Sequence, residues 1–217
     1  MKDMEPVTTT FEDWTIRLRP PAGKPSRVMV MLHGWTGDEN SMWFFAKNLD
    51  ANYWLMAPRA PYPALQTGYS WRPLTPGTTH PPAYDQMRPS AAMLLDLIER
   101  WGIANAVDTN QVDMMGFSQG AAMTLTFALA YPSRVGKFAI LAGFSPTGTE
   151  SLAKSLPFKG KSAFVAHGKA DELVPIAMGR QTSQLLEKAG AEVTFCEAEA
   201  GHKVSSECLH ALEEFFS

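Results

Sequence analysis

Apolar residues along the chain follow two alternating patterns. Short apolar runs rich in β-branched and aromatic residues predict seven strands, at 14–18, 28–32, 53–57, 112–115, 138–142, 163–166 and 193–196. Segments with apolar residues three and four positions apart predict helices at 41–49, 90–101, 119–130, 176–189 and 205–216. This alternation is typical of an α/β domain in which helices cover both faces of a mostly parallel sheet. The strand at 14–18 alternates most and suits an antiparallel edge.

The segment 58–89 fits neither pattern because it is rich in proline. Eight prolines and two glycines exclude a regular helix or central strand over most of its length. We expect one long ordered loop, which in a compact domain is usually functional or disordered. Its aromatic residues, Tyr62, Tyr69, Trp71 and Tyr84, are more than a solvated linker carries. The loop is predicted to form a wall over a pocket, although a cluster packed beneath it would explain each aromatic equally well.

Composition narrows the class of protein. The 217 residues fit a single domain spanning 1–217, and 45% hydrophobic with 19% charged residues is ordinary globular usage. A net charge of -3 without a run of Lys and Arg gives no field that would attract phosphates. Nucleic acid is therefore not expected as a partner.

The chain offers no sign of export or of a membrane span. Residues 1–6 contain two acids and no apolar signal core, and no run approaches the roughly 18 apolar residues that a spanning helix needs. We therefore expect a cytoplasmic protein. The two cysteines, Cys196 and Cys208, lack metal-ligand spacing and are expected to be buried, reduced thiols.

The sharpest motif is Gly-Phe-Ser-Gln-Gly at 116–120, between the predicted strand 112–115 and the predicted helix 119–130. A serine in so tight a strand-to-helix turn takes strained backbone angles, and the flanking glycines remove the Cβ atoms that would collide. Such a motif occurs often by chance, but its place between strand and helix makes Ser118 a candidate nucleophile. The helix N-terminus behind it would let the Gln119 N–H meet a developing oxyanion.

A serine hydroxyl is a weak nucleophile and needs a base. The chain has five histidines: His33, His80, His167, His202 and His210. His202 follows the last predicted strand, and in a parallel sheet every strand-to-helix loop emerges at the same edge as Ser118. A loop histidine is more often an ordinary surface residue, but this position predicts His202 as the base.

The acid that orients the base should follow the preceding strand. Asp171 lies there, where it can fix the imidazole tautomer and stabilise the imidazolium. Glu172 is the alternative, and we expect it to face solvent. His167 is expected to be structural. The order Ser, Asp, His is that of the α/β-hydrolases.

A second oxyanion donor should follow an early strand. Trp35 comes after the His33-Gly34 turn at the end of strand 28–32, and its N–H is the predicted donor. His33 is expected to brace the loop. Ser145 also follows a strand, but it lacks flanking glycines and a helix, and is expected to be a turn serine ahead of Pro146.

These segments together resemble the phospholipase/carboxylesterase family, small α/β-hydrolases without a large cap domain that include bacterial carboxylesterases and acyl-protein thioesterases. The matching motifs cover most of the chain: Leu32-His33-Gly34, Pro58-Arg59-Ala60-Pro61, the 116–120 motif, Leu141-Ala142-Gly143-Phe144, His167-Gly168 with Asp171 and Val174-Pro175, and Gly201-His202. The resemblance implies an esterase or thioesterase that needs no metal or cofactor and uses the Trp35 and Gln119 N–H groups as oxyanion hole.

The chain departs from the family in two places that bear on substrate. Ser70-Trp71 is followed by Arg72-Pro73-Leu74 rather than an aromatic and an aspartate, and Trp43-Phe44-Phe45 replaces a glycine-rich stretch. An apolar lining predicted from Trp71, Leu74, Phe144 and Leu173, together with Trp35, favours short to medium acyl chains.

The predicted activity is hydrolysis of small acyl esters through an acyl-enzyme on Ser118, and thioesters or lysophospholipids are further candidates. A dienelactone-hydrolase-like or peptidase-like activity on the same triad is one alternative. A catalytically silent hydrolase fold used for binding is another. An exposed apolar helix face would suit a homodimer, although no pattern selects one.

Overall fold

The computed structural model describes residues 5–25, 27–47, 49–75 and 81–217. The N-terminal residues 1–4 and the segment 76–80, with His80, lie outside this description. The described strands are β1 (Val7–Phe11), β2 (Trp14–Arg19), β3 (Val28–Leu32), β4 (Trp54–Pro58), β5 (Tyr62–Pro63), β6 (Tyr69–Ser70), β7 (Val112–Phe117), β8 (Val135–Leu141), β9 (Ser162–Gly168) and β10 (Glu192–Ala198). The α-helices are α1 (Tyr84–Asn105), α2 (Gln119–Ala130), α3 (Ile176–Lys188) and α4 (Ser206–Phe216). Short 3₁₀ helices occupy Pro132–Arg134 and Leu152–Ser155.

The sheet confirms the predicted α/β architecture. Within the described ranges, eight strands are ordered β1-β2-β4-β3-β7-β8-β9-β10. In this order, every neighbouring pair from β4 through β3, β7, β8 and β9 to β10 is parallel. β2 pairs antiparallel with both β1 and β4. β5 and β6 form a separate small hairpin. The loops that follow β3, β7, β9 and β10 therefore all leave the same edge of the sheet.

Helices cover both faces of the sheet, as expected. On one face α1, α2 and part of α3 form a core with alternate residues of the central strands. On the other face, α4 and the segment that follows β3 pack against the remaining strand residues. Every residue of α2 except Ala130 is buried, so this helix is held on all sides directly behind the serine motif.

The predicted helix at 41–49 is wrong. Its backbone forms successive turns, with the N–H of Phe45 bonded to Met42 O and that of Ala46 bonded to Trp43 O. These bonds reach back three residues rather than four, and they still bring Met42, Phe45, Ala46 and Leu49 onto the sheet. Apolar residues spaced for such turns resemble those of a helix, which accounts for the error.

Two other boundaries differ from the prediction. The strand at 14–18 is antiparallel as expected but is not the edge, because β1 pairs on its outer side. The proline-rich loop ends at residue 83, since α1 begins at Tyr84 and contains Pro89. Proline there removes only one bond near the start of the helix. The Gln86 side chain accepts the Ala83 N–H at 3.0 Å and holds that start.

The expectation of two reduced thiols is also wrong. Cys196 on β10 and Cys208 on α4 form a disulfide, with their Cα atoms 5.6 Å apart. The two cysteines meet because α4 folds back against β10, a contact that linear spacing does not reveal. The bond therefore closes a ring around the loop between these elements, and that loop contains His202.

A buried carboxylate ties the opposite end of the sheet together. Asp113 on β7 is fully buried and accepts hydrogen bonds from Arg27 Nη1, from the Lys137 N–H at 2.7 Å and from the Tyr53 hydroxyl at 2.6 Å. Burial, followed by this bond to Asp113, raises the pKa of Tyr53 well above its usual range.

Among the described helices, none is long and apolar enough to cross a membrane.

Candidate active site

Ser118 lies in a strained turn between β7 and α2. Its φ of 53° and ψ of -115° fall where residues other than glycine are seldom found. The flanking glycines are required by close contacts: a Cβ on Gly116 would come within 2.1 Å of Gly120 O, and one on Gly120 within 2.1 Å of Leu32 O. The turn therefore carries the serine out at the edge of the sheet, as the motif predicts.

His202 and Asp171 are brought together from separate loops. Asp171 Oδ2 lies 2.7 Å from His202 Nδ1. The other carboxylate oxygen accepts the N–H groups of Leu173 at 2.9 Å and Val174 at 2.8 Å, so the acid is held on both sides. An Nδ1–H bonded to a carboxylate leaves Nε2 as the basic atom of the ring. Glu172, the alternative acid, is exposed.

Ser118 and His202, the predicted nucleophile and base, line one cavity. Within the described part of the chain, Ser118 Oγ and His202 form no hydrogen bond. Nucleophile–base contacts are often long without substrate and tighten in the reacting complex, so the shared cavity is the relevant geometry.

His167 supports the acid loop from below. Its side chain is fully buried, its Nε2 donates to Val174 O at 2.7 Å, and the same nitrogen lies 3.5 Å from Asp171 Oδ2. Gly179 of α3 packs against the ring, because a Cβ there would come within 2.5 Å of Nδ1. The residue therefore has the structural position that the sequence analysis expects.

The two predicted oxyanion donors belong to the same cavity as Ser118. Trp35 and Gln119 both line its cavity, and in the described residues the backbone N–H of neither donates to a protein acceptor. The turn before Trp35 passes directly against the serine, since a Cβ on Gly34 would lie 3.4 Å from Ser118 Cβ. Both N–H groups are therefore free of protein acceptors, and their role as oxyanion donors stays a prediction.

Trp71 differs from its predicted role. It is fully buried and does not line the cavity. Its indole N–H donates to His33 O at 2.8 Å, and its backbone N–H donates to Gln119 Oε1 at 3.0 Å. Trp71 therefore fastens the proline-rich loop to the loop after β3 and to α2. An aromatic residue in a loop carries no sequence signal for which way it faces.

His33 completes this bracing. Its Nε2 accepts the Ala60 N–H at 3.0 Å, which leaves the proton on Nδ1 to donate to Gly34 O at 2.8 Å. Burial lowers the pKa of His33, so the ring stays neutral and both bonds persist at neutral pH. The neutral ring of His33 thus joins the loop after β3 to Ala60, just beyond β4. The backbone carbonyl of His33 holds Trp71.

The cavity around Ser118 is mainly apolar and has a volume of about 430 Å³. Three residues predicted as substrate-binding, Leu74, Phe144 and Leu173, line it. Four other residues of the wall were not predicted: Pro81, Pro82, Val174 and Met178. Arg72 also lines the cavity and was not predicted to do so, although the departure from the family pattern at this position was a signal. Burial lowers the pKa of the Arg72 guanidinium, which donates to Gln86 Oε1 at 2.7 Å.

A mostly parallel sheet, a strained serine between strand and helix, and a histidine–aspartate pair at the same edge define an α/β-hydrolase. The family model described as Phospholipase/Carboxylesterase matches residues 15–217, and the chain belongs to this family of serine hydrolases. In the residues described, no group of three or more His, Cys, Asp and Glu side chains is placed to hold a metal ion.

Relatives and solved structures agree with this family. Acyl-protein thioesterase 1 of Kluyveromyces lactis is 28% identical over 195 residues, which cover 80% of this chain and 82% of that protein. A probable carboxylesterase of Oryza sativa subsp. japonica is 32% identical over 118 residues, 52% of this chain and 43% of the rice protein. Carboxylesterase SOBER1 of Arabidopsis thaliana is 32% identical over 119 residues, 52% of this chain and 50% of SOBER1. The chain thus spans about half the length of these two plant relatives.

The solved structures on which the chain superposes share its fold. The Bacillus cereus carboxylesterase superposes with a TM-score of 0.81 at 21% identity, covering 94% of both chains. The carboxylesterase from Mesorhizobium loti gives a TM-score of 0.80 at 19% identity, covering 97% of both chains.

Proposed function

We propose that the protein is a serine carboxylesterase that hydrolyses short- to medium-chain acyl esters through an acyl-enzyme on Ser118. The observation that carries the proposal is that a strained Ser118 and His202, which is hydrogen-bonded to the buried Asp171, line one apolar cavity. Family membership supports ester hydrolysis as the reaction class. Thioesters and lysophospholipids share the same carbonyl chemistry and are the further substrates to test.

The proposed reaction has two steps. Ser118 Oγ attacks the ester carbonyl while His202 Nε2 takes its proton, and the N–H groups of Trp35 and Gln119 stabilise the oxyanion. When the tetrahedral intermediate collapses, the bond to the leaving oxygen breaks and His202 returns the proton to that oxygen. Water, activated by the same imidazole, then attacks the acyl-enzyme and releases the acid and the free serine. Asp171 stabilises the imidazolium in both steps.

Replacement of the nucleophile tests the proposal most directly. Ser118→Ala should fold like the wild type and lower kcat by about 10⁵ to 10⁶-fold on p-nitrophenyl butyrate. Ser145→Ala is the matched control, because this serine also follows a strand but borders a different cavity. A Ser118→Ala protein that keeps its turnover would overturn the mechanism, and so would failure of a fluorophosphonate probe to label the wild type at Ser118.

The acyl specificity follows from the cavity wall. Leu74, Phe144 and Met178 offer apolar contacts, and among the described lining residues other than His202 only Arg72 brings a charge. We therefore expect kcat/KM to be highest for unbranched, uncharged acyl chains of short to medium length. A series of p-nitrophenyl esters of increasing length measures this. A preference for charged or sugar-bearing acyl groups would contradict it.

The cellular location remains a prediction. A cytoplasmic protein was expected from the sequence, but the Cys196–Cys208 disulfide is typical of oxidising compartments and weighs against that expectation. Fractionation of the source cells, with thiol trapping at lysis, would decide between the two.

Sedimentation of the purified protein would test whether it forms the homodimer that the sequence leaves open.

A further inference from the structure

A second groove shares Trp35 with the Ser118 cavity. It has a volume of about 530 Å³, and its lining includes Gly34, Trp35, Phe44, Phe45, Phe117 and Lys203. Trp35 is half-exposed and lines both spaces. The groove therefore adjoins the reacting centre without including Ser118.

The position of the nucleophile decides which half of an ester each space can hold. After the first step the acyl group stays bonded to Ser118, so it has to occupy the cavity that Ser118 lines. The other half leaves with a proton from His202. Lys203 and Val204, the two residues after His202, line the second groove, so the groove begins beside the residue that would protonate the leaving group.

A line of aromatic rings connects the base to this groove. The His202 ring lies 5.0 Å from that of Phe117, which is 6.3 Å from Phe45, which is 5.6 Å from Phe44. Phe44 is 61% exposed and lines the groove, so its ring presents apolar surface to a molecule bound there. An aromatic or aliphatic leaving group would cover these rings.

The charge on the groove is positive. Lys203 is exposed and forms no ion pair with any residue in the described ranges. Of the two acids in the loop after β3, Glu39 is neutralised by Arg59 through two bonds, and Asp38, which accepts from Asn40 and Ser41, keeps its charge but does not line the groove. A negative charge on the leaving group can therefore approach the Lys203 ammonium.

We propose that this second groove binds the leaving group of the ester, and that Lys203 makes it favour leaving groups that carry a carboxylate, phosphate or other anion near an apolar body. The proposal rests on the serine esterase function proposed above and adds the chemistry of the alcohol half. Trp35, which lines both spaces, then contacts both halves of the substrate, with its N–H at the oxyanion.

The test uses two butyrate esters that differ only in charge. The leaving groups are 3-hydroxybenzoate and 3-hydroxybenzamide, and kcat/KM is measured for each at low ionic strength, where charge interactions are least screened. The wild type should prefer the benzoate. Lys203→Gln should lower the benzoate-to-benzamide ratio about two- to fivefold, the range expected for one exposed ion pair. Lys203→Glu should lower the ratio further.

Two further variants control the result. Lys169→Gln removes an exposed cation that pairs with Glu199 outside the groove, so it should leave the ratio unchanged. Phe44→Ala should reduce kcat/KM for both aryl esters relative to methyl butyrate, without altering the dependence on acyl length. Because Phe44 is exposed, a melting temperature equal to that of the wild type should confirm that this variant folds.

The outcomes separate this proposal from the one on which it rests. A wild type without preference, or a Lys203→Gln ratio equal to that of the wild type or of Lys169→Gln, would overturn the assignment of Lys203. A Phe44→Ala protein that alters acyl-length dependence instead would overturn the assignment of the groove. Either result could occur while Ser118→Ala is still inactive, whereas an active Ser118→Ala would overturn the esterase mechanism itself.

Discussion

The disulfide allows a quantitative prediction about the loop that carries His202. Reduction of Cys196–Cys208 leaves the folded contacts largely intact but frees the unfolded chain from a loop closed across 12 residues. In the chain-entropy model a loop of this size contributes about 3 kcal/mol to folding stability. For a protein of this length that corresponds to a decrease in melting temperature of about 6–12 °C.

Activity should respond less than stability. The His202 loop keeps other ties when the disulfide is open, including the bond of Ala170 N–H to Ala200 O at 3.0 Å and the Asp171–His202 bond at 2.7 Å. Well below the melting temperature, the reduced enzyme should therefore retain most of its esterase activity. Its activity should disappear at a lower temperature than that of the oxidised enzyme.

The assay compares thermal unfolding and residual esterase activity with and without dithiothreitol. Cys196→Ala/Cys208→Ala is the matched variant, because it should melt near the reduced wild type and show no further response to the reductant. Thiol titration of the denatured protein should find no free thiols before reduction and two after it. Two free thiols in protein purified without reductant, or an unchanged melting temperature after full reduction, would refute the reasoning.

Two other predictions concern buried polar groups. Burial holds the pKa of His33 below its ordinary 6.5, so the stability it confers is present above that pH and is lost as the pH falls. The difference in unfolding free energy between wild type and His33→Asn should accordingly shrink from about pH 7 to pH 5, and a constant difference in urea titrations would contradict this. Tyr53→Phe removes the 2.6 Å bond to the buried Asp113 and should cost about 1–3 kcal/mol in urea unfolding. An unchanged urea midpoint would show that the Asp113 cluster does not need this bond.

The sheet and the positions of Ser118, Asp171 and His202 in it were predictable because their signals are local. Runs such as Val28–Leu32 are buried on both faces and read as continuous apolar segments, and the fully buried α2 follows its serine motif directly. Parallel connections then place Ser118, Asp171 and His202 at one edge, whatever the distances between them along the chain.

The errors arise where a side chain or a pairing depends on the assembled fold. Apolar spacing in the turns after β3 imitates a helix, and β1 was missed because its residues are mostly exposed and rich in threonine. The burial of Trp71 is decided by acceptors on His33 and Gln119 that only the folded loops bring near. The disulfide likewise forms only once α4 lies on β10.

The backbone angles of Ser118 also have a bearing on selection. A residue held in such a conformation costs about 1–3 kcal/mol, similar to what the disulfide contributes. Glycine would adopt the same angles freely, so a chain selected for heat tolerance alone would drift to glycine at this position. A serine at this position therefore lowers the stability of the fold. Its presence indicates that the hydroxyl has a function that outweighs this loss of stability.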